Sequence, residues 1–314
     1  MTKRINLKDQ AVWIMLIVLV ILFAATVPGF FTLGNFTTIL RQVANIGILS
    51  VGMTCVLIAG GIDLSIGNLM GLVGVVAALL MTECGVNAWI SCILGILVGV
   101  VVGGINGVLI TYTKMPPLIA TLGMSYAVRG LAYIITGGFP VYGLPESVKV
   151  IGQGYIFGQI PVCVVIMIVI IILGAFVMNK THVGRQLYAL GSNEEAARLS
   201  GISVNLVRVS AYIIAGTLSA ISGIVMMSRV NSGQQLSGNA MEMDALIACV
   251  VGGISVAGGE GKATGMIGGM LVMGVLANGM AVAGMSEYLQ MLVKGLVLMA
   301  VVAIDCWTRN HKKS

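Results

Sequence analysis

The chain has 314 residues, of which 58% are hydrophobic and only 9% charged, with a formal net charge of +6. An ordinary soluble domain carries about 25% charged residues, so this composition excludes a globular surface facing water. The surface must face lipid. The basic residues fall in short loops and near the ends, where they report orientation in a membrane, and no nucleic-acid face is implied.

A crossing of the ~30 Å hydrocarbon layer takes about 20 apolar residues, so the chain reads as a single transmembrane domain, 1–314, with room for around ten crossings and no soluble domain. The first apolar run, 11–27, follows Lys3, Arg4 and Lys8. Its length and the weak cleavage-like stretch Phe23-Ala24-Ala25 favour a retained helix over a cleaved signal. Further crossings are expected at 43–60, 66–81, 88–112, 118–136, 160–178, 209–227, 244–257, 264–283 and 288–305. The eighth, 244–257, is short enough to be a re-entrant hairpin instead, which would lower the count to eight or nine. The expected fold is all-α and polytopic, with about ten transmembrane helices and glycine-broken or re-entrant segments.

Threading ten crossings from a cytoplasmic N-terminus places Lys3, Arg4, Lys8, Lys114, Lys180, Arg185, Arg198, Arg208, Lys262, Arg309, Lys312 and Lys313 inside, twelve of the 17 Lys and Arg. Both termini and the loop 179–208 are then cytoplasmic. The acidic turn at Glu83 and the loop 137–159, with Pro140, Pro145 and one lysine, fall outside.

Forty-three glycines lie mostly in helical territory, where they let helices approach closely in a membrane. Gly95, Gly99, Gly103 and Gly107 form one ladder, and Gly261, Gly265 and Gly269 a second; intramolecular packing is the preferred reading of both. Two glycine-rich stretches interrupt the apolar pattern: Gly60-Gly61-Ile62-Asp63-Leu64-Ser65, and Gly252-Gly253-Ile254-Ser255 with Gly258-Gly259-Glu260-Gly261. Unwound backbone at membrane depth is tolerated only inside protein or beside a watery cavity, so both are candidate pathway or hinge elements. A weak internal echo links the two halves: GGI, Asn106-Gly107 and Arg129-Gly130-Leu131 against GGI, Asn278-Gly279 and Lys294-Gly295-Leu296.

Enzyme and metal chemistry is not visible. The six cysteines form no CxxC pair and do not cluster with His182 or His311. The Walker-like stretch ending Gly261-Lys262-Ala263 has Val256 and Ala263 where a phosphate-cradling loop needs glycine and Ser or Thr. Ionisable residues at membrane depth or its edge are Asp63, Arg129, Glu242, Asp244, Glu287, Lys294 and Asp305. Such charges are expensive in lipid and functional by default, although Glu287 and Asp305 lie at expected helix ends. Asp63 and Asp244, each read as standing beside a glycine break, are candidates for gating or capping. Ser65, Asn68, Asn106, Thr121, Asn278 and Gln290 complete the candidate pathway. Hydroxyls and amides of this kind suit a neutral polyhydroxyl solute better than an ion.

In the loop 179–208, Ser192-Asn193-Glu194-Glu195-Ala196-Ala197-Arg198-Leu199-Ser200-Gly201 carries its own helix ends. Ser192 and Glu195 have capping-box spacing, and Gly201 supplies a left-handed stop. An isolated helix over 192–200 is too short to be stable in water. It is held either by its own membrane domain or by a partner's groove.

Several motifs together resemble one family. These are GGIDLSIGN at 60–68, Pro117-Leu118-Ile119-Ala120-Thr121-Leu122-Gly123 with Arg129-Gly130, the loop Gly184-Arg185 through Ser192-Asn193 to Ile202, and the stretch from Asp244-Ala245 to Asn278-Gly279. They are similar to the ribose-type branch of bacterial monosaccharide ABC importer permeases, over nearly the whole chain. The resemblance implies an inner-membrane permease that binds no cofactor itself and works with a second permease, as a homodimer or as a heterodimer with a sister permease. It also implies a cytoplasmic tandem ATPase subunit, which holds ATP and Mg, and an extracytoplasmic sugar-binding protein. It makes the segment Glu194 to Gly201 the coupling helix. Met115-Pro116-Pro117 and Ser255-Val256-Ala257 depart from the usual pattern and bear on substrate identity. The competing expectations are an ion-driven secondary carrier, which would want midplane carboxylate clusters, and a membrane-embedded enzyme.

Overall fold

The computed structural model describes the backbone of residues 7–310 and the side chains of residues 10–303. Lys3, Arg4, His311, Lys312 and Lys313 lie outside the described residues, as do the side chains of Lys8, Asp305, Cys306 and Arg309.

Each of the ten apolar segments forms a helix. In chain order these are α1 (Leu7–Thr26), α2 (Leu33–Ile58), α3 (Ile66–Thr82), α4 (Ala88–Tyr112), α5 (Pro117–Thr136), α7 (Val162–Lys180), α10 (Val204–Val230), α11 (Met241–Val251), α12 (Ala263–Val282) and α13 (Glu287–Asn310). The short α6 (Glu146–Gln153) and a tight antiparallel hairpin, β1 (Tyr155–Ile156) with β2 (Ile160–Pro161), join α5 to α7. Between α7 and α10 stand α8 (His182–Ser192) and α9 (Glu194–Leu199). Among the described residues, six helices are long and apolar enough to span on length and hydropathy alone: α2, α4, α5, α7, α10 and α12. The apolar parts of α1 and α3 are shorter, and α11, at 11 residues, reaches only about 16 Å at 1.5 Å per residue.

The bundle is organised around α2 and α10. From Val43 to Ile58 every residue of α2 is buried. The α4 glycine ladder closes the bundle on the other side of α10. A Cβ at Gly99 would lie 2.5 Å from Ala220 Cβ, one at Gly103 2.4 Å from the Tyr212 carbonyl, and one at Gly107 2.8 Å from Val209 Cα. The opposite face of α4 exposes Ile93, Leu97, Val101, Ile105 and Val108. Glycine inward and branched aliphatics outward is the inverse of a soluble amphipathic helix, because the outer solvent is lipid and the inner demand is close approach. The second ladder is shorter than its spacing suggests. Gly265 and Gly269 pack on Gly252 and Ala248 of α11, while Gly261 lies in the loop before α12.

Three stretches depart from helix at depth. The α2–α3 connection, 59–65, climbs along α10: Tyr212 donates to the Ile62 carbonyl at 3.5 Å and Ser219 to that of Ile66. Ser219 is roughly 22 Å from the start of α10 and 16 Å from its end at 1.5 Å per residue, so α3 begins in the middle of the bundle. The α10–α11 connection, 231–240, descends along α3 in the opposite direction. A Cβ at Gly71 would meet the Gln235 carbonyl at 2.3 Å, and one at Gly67 the Gly238 carbonyl at 2.6 Å. The third stretch, 252–262, turns from α11 to α12 at the end of the bundle that carries α8 and α9.

Candidate coupling and translocation sites

Helix α9 is capped, although not by the residues its spacing suggested. Because α8 runs on through Ser192, the Ser192 hydroxyl donates back to the Tyr188 carbonyl at 2.8 Å. The adjacent Asn193, in extended conformation, takes the cap, its Oδ1 accepting from Ala196 N–H at 3.0 Å. The expected Ser192–Glu195 capping box is therefore replaced by an Asn193 cap, and the helix starts at Glu194. The stop is as expected: Gly201 has φ +80°, Gly201 N–H donates to Arg198 O at 3.0 Å and Ile202 N–H to Ala197 O at 3.1 Å. Glu194 accepts from Arg198 at 3.0 Å and from Arg208 on α10, which ties the helix to the bundle. Ala197 is buried beneath it, while Glu195, Ala196 and Ser200 are exposed and Leu199 is 85% exposed.

The α8–α9 elbow sits on both glycine breaks at once. A Cβ at Gly191 would fall 1.8 Å from the Ile58 carbonyl and 2.6 Å from the Gly259 nitrogen. Gly259 N–H donates to that same Ile58 carbonyl at 2.9 Å, and Tyr188 Oη donates to the Gly261 carbonyl at 2.8 Å. Gly258 packs on Gly60. Gly191 and Tyr188 gain their meaning only in the tertiary structure, because their contacts join segments over 60 residues apart. Beside this junction opens a cleft of about 870 Å³, lined among others by Gly60, Lys114, Asn193, Arg208 and Tyr212.

The first-half pathway candidates converge. Asp63 Oδ1 accepts from Ser65 N–H at 2.9 Å and from Ser65 Oγ at 2.6 Å. Asn106 of α4 donates to Ser65 Oγ at 2.9 Å, Asn68 donates to Ser125 of α5 at 2.8 Å, and Thr121 donates to the Pro117 carbonyl at 2.9 Å and to that of Ile62 at 3.4 Å. All are buried in this conformation, so the break is held between α4, α5 and α10 as one polar knot. Asp63 Oδ2, Asn68 Oδ1 and Asn106 Oδ1 keep no hydrogen-bond partner there.

The second-half candidates are scattered. Asp244 stands in the first turn of α11, two turns before the break at Gly252, and its Oδ2 accepts from Lys294 of α13 at 2.8 Å. The position beside a break expected for Asp244 does not hold, because the intervening residues are helical. Asn278 exchanges amide bonds with Asn35 of α2 at 2.9 and 3.0 Å. Gln290 donates to the Met285 carbonyl at 3.0 Å, a local contact at the start of α13.

A multi-pass helical bundle with glycine-broken segments at depth is the architecture of a membrane transport subunit. Residues 35–302 match the family described as branched-chain amino acid transport system / permease component, and the chain belongs to that family. It is 38% identical over 305 residues to the ribose import permease protein RbsC of Escherichia coli (strain K12), covering 95% of this chain and 94% of that one. It is 41% identical over 292 residues to RbsC of Bacillus subtilis (strain 168), covering 92% and 90%. With the xylose transport system permease protein XylH of Escherichia coli (strain K12) it shares 31% over 370 residues, covering 98% and 94%. No solved structure matches.

Proposed function

We propose that this chain is the membrane-spanning permease subunit of a binding-protein-dependent ABC importer in a bacterial cytoplasmic membrane. It moves a monosaccharide, a ribose-like pentose or a hexose, inward. Two permease copies pair in the membrane, an extracytoplasmic binding protein delivers the sugar, and a cytoplasmic tandem ATPase subunit holds ATP and Mg. The helices formed by all ten apolar segments cross or enter the bilayer, and both termini lie inside with the loop 179–208.

The observation that carries this reading is the seating of the α8–α9 elbow on both glycine breaks. The helix from Glu194 to Gly201 then acts as the coupling element. Closure of the ATPase presses on α9, whose exposed Leu199 is the apolar anchor for the partner's groove. The Glu194–Arg208 pair passes the load to α10, and the Gly191 contacts pass it to the ends of α2 and α11. Asp63, Ser65, Asn68, Asn106 and Thr121 form the gate-side knot that this movement reaches, with Asp244, Asn278 and Gln290 on the other half. In proteoliposomes containing the permease, its ATPase partner and the binding protein, uptake of radiolabelled ribose or xylose should require both ATP and the loaded binding protein. Uptake driven by an ion gradient in vesicles without the ATPase would overturn the reading.

A further inference from the structure

The α10–α11 connection reads as an ordinary polar loop, Asn231-Ser232-Gly233-Gln234-Gln235-Leu236-Ser237-Gly238-Asn239-Ala240. The fold draws it into the bundle instead. It enters over Gly74 and Ala78 of α3, runs down the Gly71 and Gly67 face, and turns into α11 through Ala240, whose φ of 65° is rare for a residue with a side chain. At its lower end the Glu242 carboxylate lies against Gly67. That level is one residue from Ile66, whose carbonyl meets Ser219, so Glu242 stands near mid-bilayer.

Part of this segment is tied down. Gln235 is buried and donates to Thr136 Oγ1 and, at 2.9 Å, to the Phe139 carbonyl. The rest is not. Asn239 is exposed, Gln234, Ser237 and Glu242 are half-buried, and neither Ser237 Oγ nor Glu242 Oε2 has a hydrogen-bond partner. The neighbouring Asp244–Lys294 pair marks the α13 side. Amides, a hydroxyl and a carboxylate in irregular backbone at this depth do not face lipid; they face protein or a watery passage.

Resting on the importer reading above, we propose that Gln234, Ser237, Asn239 and Glu242 form the polar wall past which the sugar moves. The ligand class is a neutral polyhydroxyl monosaccharide. The unsatisfied Glu242 carboxylate accepts hydrogen bonds from adjacent hydroxyls, and the amides exchange water for sugar during passage.

The test uses the reconstituted full transporter with native thiols replaced and single cysteines at Asn239→Cys or Gln234→Cys. A charged, membrane-impermeant thiol reagent should modify both positions, and modification should reduce sugar uptake about tenfold, the effect of one lost hydrogen bond to a charged or crowded group, while ATPase stimulation by the loaded binding protein persists. Glu242→Gln should show the same split between uptake and stimulated ATPase. Sites labelled only by lipid-soluble reagent, or full uptake after modification, would overturn the passage assignment and leave the importer intact. Absence of binding-protein-dependent uptake in the unsubstituted transporter would overturn the importer reading and this assignment with it.

Discussion

The two glycine breaks carry similar letters and are held in different ways. The break at 60–65 is fastened by side chains: Asp63, Ser65 and Asn106 interlock, and Thr121, Tyr212 and Ser219 reach its carbonyls from α5 and α10. At the break at 252–261, Gly253, Gly258 and Gly259 take positive φ, Gly252, Gly258 and Gly259 lie against neighbouring main chain, and Tyr188 Oη donates to the Gly261 carbonyl. A side-chain knot resists sliding because each bond is directional and its loss strands a buried partner. A glycine clasp resists only overlap, so it permits small shifts of one segment over another. Gly191 lies against both, through the Ile58 carbonyl and the Gly259 nitrogen.

The largest effect is expected where the two meet. Gly191→Val would drive branched carbons into the Ile58 carbonyl, which is backbone and has nowhere to go. Overpacking of this kind costs about 1–3 kcal/mol and often more, so we expect uptake to be abolished and the melting temperature of the detergent-extracted protein to fall. Full uptake with an unchanged melting temperature would show that the elbow is not clamped. Next comes the side-chain knot. Asn106→Leu removes the donor to Ser65 and should cost roughly 1–3 kcal/mol, the range for stranding a buried polar group. Thermal unfolding followed by intrinsic fluorescence would report it, and a silent variant would dissolve the contrast between the halves.

Gly201→Val separates coupling from stability. A Cβ at Gly201 meets nothing within 4 Å, so the only penalty is the positive φ, about 1–3 kcal/mol of local strain. We expect normal insertion and yield but loss of ATPase stimulation by the loaded binding protein, with Gly201→Asn largely tolerated because asparagine visits that region readily. Stimulated turnover at the normal rate in a well-folded Gly201→Val variant would remove α9 from the coupling path. The smallest effect distinguishes two neighbours: Asn193→Ala should weaken α9 by about 1 kcal/mol through loss of the cap, and Ser192→Ala, whose hydroxyl only bonds back within α8, should be close to silent. Hydrogen exchange at Ala196 is the direct readout, and equal protection in both variants would contradict the observed cap.

Legibility in the sequence follows the range of the interaction responsible. Helix α4 is readable because lipid imposes its length and the glycine ladder its buried face, both local patterns. The stop at Gly201 is readable because positive φ is a property of one residue. The cap was misplaced by one residue because Ser192 and Asn193 are both good caps, and only the continuation of α8 decides between them. Asp244 was placed beside a break on proximity in sequence, whereas two turns of helix hold it against Lys294 instead. The segment 231–240 was missed altogether, since nothing in its composition distinguishes a surface loop from a polar stretch buried against glycines of another helix.

By itself the sequence determined the solvent, the helical class and the places where helix must fail. These follow from the cost of exposing charge and unpaired backbone to hydrocarbon, a cost incurred residue by residue. Only the tertiary structure decided that Gly191 lies against both breaks, that Asp63 belongs to a knot with Asn106, and that Glu242 lies against Gly67 of α3. Those outcomes depend on which face meets which distant segment, across 41 residues of chain for the knot and more for the glycine contacts, and close packing between distant segments leaves no local periodicity by which it could be read.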